Sequence, residues 1–196
     1  MRRDNFCNWW VAAAVALLIV SLPAGARAGG PADTTVNDVL SLEDFSVTGV
    51  SKLVRTDRGV NIELYTKGLA PGAYTFWWIV FKHPEECVHG PGMCGFDNAD
   101  FEVGGPAGFG FIRASGHIVD ESGETTVGAN LKKGETLLDN DLNPTQTFEN
   151  PRTAEIQLIV RYHGPVDPDR MPAQIHTGEF DNPDVFDVQI SIHPAP

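Results

Sequence analysis

The sequence predicts an all-β fold, a single β-sandwich domain of immunoglobulin-like or cupredoxin-like form with long loops. Two patterns carry this. About seven short stretches rich in β-branched and aromatic residues are separated by Gly, Pro, Asn and Asp. Beyond the N-terminal segment, no stretch of about twelve residues repeats its apolar positions at helical spacing.

In chain order, MRRDNFCNWWVAAAVALLIVSLPAGARAGG has the parts of an export signal. Arg2 and Arg3 supply positive charge, Val11 to Leu22 is apolar, and Ala26-Arg27-Ala28 fits an A-x-A cleavage site. The apolar run falls short of the roughly 20 residues a spanning helix needs, and no later stretch is apolar enough. The expectation is a cleaved signal peptide over 1–28, a loose arm over 29–44 with a short helical turn at VNDVLSLEDF, and a β-sandwich over 45–196. The protein would be exported, periplasmic or extracellular, with no membrane span after cleavage.

SKLVRT and GVNIELYTKG flank Asp57-Arg58 as a tight hairpin. After the turn signal LAPG, AYTFWWIVFK is apolar on both parities, as in a central strand covered on both faces. GFGFIRASGHIV and ETTVGANL read as a second hairpin about Glu121-Ser122-Gly123. AEIQLIVRYH alternates, with Ile156, Leu158, Val160 and Tyr162 inward and Glu155, Gln157, Arg161 and His163 outward. VFDVQISIH would turn Val188, Ile190 and Ile192 inward. Loops 84–108, 132–153 and 164–185 are long, and loops of that length carry function or are disordered.

Net charge is -12, with no basic run. Removing the leader would take three arginines and one aspartate with it, making the chain more acidic by two. Such a surface argues against nucleic acid and against anionic membranes, and suits divalent cations or cationic partners.

The stretch CVHGPGMC contains two sulfurs, an imidazole and a thioether. A type-one copper site takes a Cys thiolate, two His and a weak axial Met. His83, Cys87, His89 and Met93 supply that set, and a cupredoxin-like electron-transfer protein is the alternative reading. The tight C-x-H spacing and the many residues following the loop count against it. So does Cys94, which offers Cys87 a covalent partner. With Cys7 lost in the leader, Cys87 and Cys94 are an even pair in an oxidising compartment, where disulfides persist. Closing that eight-residue ring stabilises by roughly 2.5 kcal/mol in the chain-entropy estimate.

Other chemistry is sparser. His117, His163 and His193 would bind copper or zinc if their strands met at one sheet end. Asp97, Asp100 and Glu102, and Asp181, Asp184 and Asp187, offer oxygens to calcium, although neither run matches the calcium-loop template. Ser115 and His117 share a strand face, the basis of a hydrolase reading that lacks a third orienting group. There is no G-x-S-x-G elbow and no H-E-x-x-H helix, so the balance leans away from an enzyme.

LAPGAYTFWWIVFKHPEEC, MCGFDNADF, ASGHIV, AEIQLIVRYHGP and DVQISIH together resemble a family of exported bacterial proteins of uncharacterised function. The resemblance implies that Trp77, Trp78, Cys87, Cys94, His117 and His163 hold family positions. Gln157 departs from the pattern, standing where the family tends to have His. The leading expectation is an exported, disulfide-stapled binding protein for a metal or an extracellular partner.

Overall fold

The computed structural model describes residues 31–139 and 141–196, so the expected signal peptide over 1–28 lies outside the described residues. The all-β single domain is what forms. Its strands are β1 (Asp33–Ser41), β2 (Val47–Thr56), β3 (Gly59–Thr66), β4 (Gly72–Phe81), β5 (Phe109–Val119), β6 (Thr125–Lys132), β7 (Thr136–Leu138), β8 (Pro144–Thr147), β9 (Glu155–Tyr162) and β10 (Phe186–His193). One short helix, α1 (Met171–His176), lies in the loop between β9 and β10. All ten strands belong to one antiparallel sheet, ordered β6-β3-β2-β1-β10-β9-β4-β5-β7-β8.

That order forces the sheet to curl. β6 and β5 stand seven places apart in the ladder yet are joined only by residues 120–124. At about 4.8 Å per strand, a flat sheet would separate them by roughly 34 Å. The connection spans at most about 21 Å. The curled inner face therefore encloses one core, in which Ile62, Leu64 and Val127 from one half meet Phe76, Trp78 and Leu158 from the other.

Three sequence expectations need correction. The loose arm expected over 29–44 is strand β1 from Asp33 onward, paired with both β2 and β10. The second hairpin does not form: its turn closes, with Gly123 N–H on Asp120 O, but β5 pairs with β4 and β6 pairs with β3. The turn carries the chain across the mouth of the curl. Finally, β10 is inverted. A bulge between Asp187 and Gln189 shifts its register, so Gln189, Ser191 and His193 are buried while Val188, Ile190 and Ile192 are half-buried.

The inversion is sustained by partners. The Thr66 hydroxyl donates to Gln189 Oε1 at 2.6 Å, Ser191 bonds Ser51, and the His193 ring bonds Thr35 at 2.8 Å and Ser51 at 2.8 Å. Arg55, also fully buried, gives its guanidinium to the carbonyls of Pro151, Ala154, His193 and Pro194. Its pKa is pushed down to about 10 by burial. Polar groups survive in an interior when each finds a partner, and this layer meets nearly all of that demand.

β4 is buried at every position, as its apolar parities predict, flanked by β5 and β9. On its outer side α1 packs across β4 and β5. A Cβ at Gly116 would lie 1.9 Å from the Ile175 carbonyl oxygen, so the glycine of ASGH is what lets α1 approach.

His193 makes stability depend on pH. Its pKa falls to about 4, first from burial and then from the Arg55 charge. Unfolded, a histidine titrates near ~6.5. Between those values the unfolded chain binds a proton that the folded chain does not. The stability is complete above about pH 6.5 and is lost as pH falls, by up to about 3 kcal/mol. His117 and His163, also lowered by burial, act in the same direction, while the raised Glu155 carboxyl opposes them. Urea midpoints should drop between pH 6.5 and 4.5, and His193→Gln should flatten that slope.

Candidate binding site

The outward row of β9 positions the site. Sequence alternation turns Glu155, Gln157, Arg161 and His163 outward, and on that outer face all four are buried. Each is covered because it holds a loop. Glu155 Oε2 accepts the Gly92 N–H at 2.5 Å, and the Gln157 amide donates to Cys94 O at 2.8 Å and to Glu155 Oε1 at 2.8 Å. Burial pushes the Glu155 carboxyl up, against the bonds it accepts from Gln157 and Gly92. These two residues seat the loop between β4 and β5 on the sheet.

That loop is closed by the Cys87–Cys94 disulfide, with S–S 2.08 Å. Within it, buried Asp100 accepts the N–H groups of Val88 at 2.8 Å and Gly95 at 2.9 Å. Both sulfurs pack with Phe81, Phe109 and Phe111 in a second apolar cluster on the outer face.

Arg161 and His163 hold the other loop, between β9 and β10. Arg161 Nε donates to Gly178 O at 2.8 Å, and Nη1 pairs with Asp187 at 2.7 Å. His163 sits in a chain. Trp77 Nε1 donates to the Thr75 hydroxyl at 2.8 Å, Thr75 bonds His163 Nε2 at 2.7 Å, and Nδ1 faces Glu179 Oε2 at 2.7 Å. Because the Glu179 carboxylate only accepts, the ring carries its proton on Nδ1, which in the neutral imidazole leaves Nε2 to accept from the Thr75 hydroxyl. Burial lowers the His163 pKa, and Glu179 works against that. Burial acts upward on Glu179, but His163 and Arg170 outweigh it and hold its carboxyl low. The order hydroxyl, imidazole, carboxylate is that of a nucleophilic triad, but Thr75 is fully buried. The chain is a clamp.

Between the two held loops is a cavity of about 230 Å³, lined by Trp77, Ile79, Phe101, Phe109, Phe111, Ile159, Arg161, Phe180 and Asp187. Ile159 is the one outward β9 residue between the two pairs of loop anchors. Phe180 closes over it, edge-on to Trp77 at 5.3 Å and to Phe111 at 5.5 Å, with the Arg161 guanidinium 4.7 Å above its ring. A Cβ at Gly178 would meet the Phe180 ring at 2.1 Å, so glycine there lets the ring fold back. In a larger depression of about 690 Å³ beside the β1–β2 turn, the Tyr74 and Tyr162 hydroxyls are already spent on the carbonyls of Ala70 and Pro71. The smaller cavity combines aromatic walls with a charge pair and is the better-formed site.

The metal sites expected from the sequence do not assemble. His163 and His193 lie on opposite faces of the sheet, each with both ring nitrogens engaged by side chains. His117 lies elsewhere, on β5, edge-on to Phe76 at 5.5 Å. The alternative copper site fails at Cys87, whose sulfur is bonded to Cys94, while His83, His89 and Met93 are exposed. For calcium, Asp100 and Asp187 are already committed to backbone N–H groups and to Arg161. Among the described residues no group of three His, Cys, Asp or Glu side chains could hold an ion, whether copper, zinc or calcium. No hydrogen bond joins Ser115 to His117 among the described residues, leaving the hydrolase pair unassembled.

Sequence reasoning missed Arg161, Phe101 and Phe180 as site residues and read Asp187 only as an oxygen donor to calcium. The usable signal was an aromatic residue within each of two long loops, beside a strand already apolar on its outer parity.

Replacing the clamp imidazole, as in His163→Leu, leaves buried Thr75 and Glu179 without their shared partner. It should cost about 2 to 3 kcal/mol in a urea melt. Limited proteolysis should then cut first within 164–185.

No family model, curated protein or solved structure matches this chain.

Proposed function

We propose that this protein is an exported binding protein and that the aromatic cavity is its ligand seat. The observation that carries this is a cavity walled by five aromatic residues whose two enclosing loops are tied to one strand by buried polar groups. A pocket held open in this way binds without first having to be ordered. An engineered cavity of about 150 Å³ takes up benzene, so a cavity of about 230 Å³ suits one substituted ring. Its lining offers no hydroxyl, thiol or imidazole as a nucleophile and its one carboxylate is paired with Arg161, which favours binding over catalysis. The disulfide supports export, because such bridges persist in oxidising compartments.

Trp77 in the cavity wall reports occupancy. Toluene should produce a saturable change in tryptophan emission, and Phe180→Ala, which removes the closing ring, should weaken binding at least tenfold. An emission change that is linear in toluene and the same in both proteins would remove the cavity as a binding site.

A further inference from the structure

We infer that the ligand is a neutral ring bearing a hydroxyl, a phenol, and not a bare hydrocarbon or a charged ring. This rests on the cavity being the ligand seat.

The polar edge of the cavity is one ion pair, Arg161 with Asp187. Arginine has five N–H donors. Arg161 uses Nε on Gly178 O, Nη2 on Val185 O at 3.4 Å and Nη1 on Asp187 Oδ1. Two N–H groups remain. Asp187 Oδ2 accepts no hydrogen bond among the described residues. The edge thus holds an ion pair with donors and an acceptor unused within it and its two charges cancelling, its Asp187 side chain 36% exposed.

That combination selects by chemistry. A ligand anion drawn to Arg161 is repelled by Asp187, and a ligand cation drawn to Asp187 is repelled by Arg161. Either ion also loses hydration against the surrounding aromatic walls. A phenolic hydroxyl donates to Asp187 while its oxygen accepts from Arg161, and the ring meets apolar surface. Hydrogen bonds to charged groups are stronger than those between neutral ones, so two of them at this half-exposed pair separate a phenol from the analogue lacking its hydroxyl. The same group occurs in free phenols and in tyrosine side chains.

The test is a titration of the full chain at pH 7, followed by Trp77 emission, with toluene, p-cresol, p-toluate and 4-methylbenzylamine. The expected order places p-cresol at least tenfold tighter than toluene and tighter than both ions. Asp187→Ala should narrow the ratio of p-cresol to toluene affinity to near one. The comparison within the native protein stands even if that variant is unstable. Equal affinities for toluene and p-cresol, or tighter binding of either ion, overturn the phenol assignment and leave the cavity reading intact. Failure of every ring to saturate overturns both. A blocked Gly-Tyr-Gly peptide identifies the source: binding comparable to p-cresol assigns a tyrosine side chain of a partner, and binding of p-cresol alone assigns a free phenol.

Discussion

Much of the structure depends on a single constraint, the outward row of strand β9. Glu155, Gln157, Arg161 and His163 would face water on a bare sheet. Here each reaches into a loop, and each loop supplies backbone or side-chain groups that make the burial tolerable. The arrangement is mutual. The loops lie down because β9 offers them partners, and the β9 side chains remain buried because the loops cover them. A buried group that loses its partner costs more than its bond contributed, so the assembly is cooperative.

The same logic operates on the inner face with different residues. Arg55, His193, Ser51 and Ser191 make a polar layer inside an otherwise apolar curl. They fasten the last strand to the first two and to the turn before β9. One polar layer thus sets how the sheet closes, and the other sets what covers it. The cavity lies where the outer layer is interrupted by a single apolar residue, Ile159.

The sequence made some of this legible. AYTFWWIVFK is apolar on both parities, and that suffices to place β4 centrally with cover on both faces. The Cys87–Cys94 bridge followed from having two nearby cysteines, and the structure has it. Alternation in β9 identified its two faces correctly. It did not reveal that the polar face was covered, because periodicity reports which way a side chain points and not what lies over it. In β10 the same rule failed outright, since a bulge and three polar partners outweigh the preference for burying Val188, Ile190 and Ile192. β1 was missed because DTTVNDVLS has little apolar signal and gains its order from ladders on both sides. The candidate site was the least legible part. Its residues come from β4, β5, β9, β10 and two loops, and strand order cannot be read from a chain of short strands.

The pairing of β1 with β10 has a consequence for how the molecule is made. Thr35 and His193, which bond across that seam, are separated by 158 positions. Until the final strand arrives, both β1 and β9 present an unfilled hydrogen-bonding edge, the kind that recruits other chains. A nascent polypeptide therefore cannot seal itself progressively, and its association-prone interval lasts until β10 has been made.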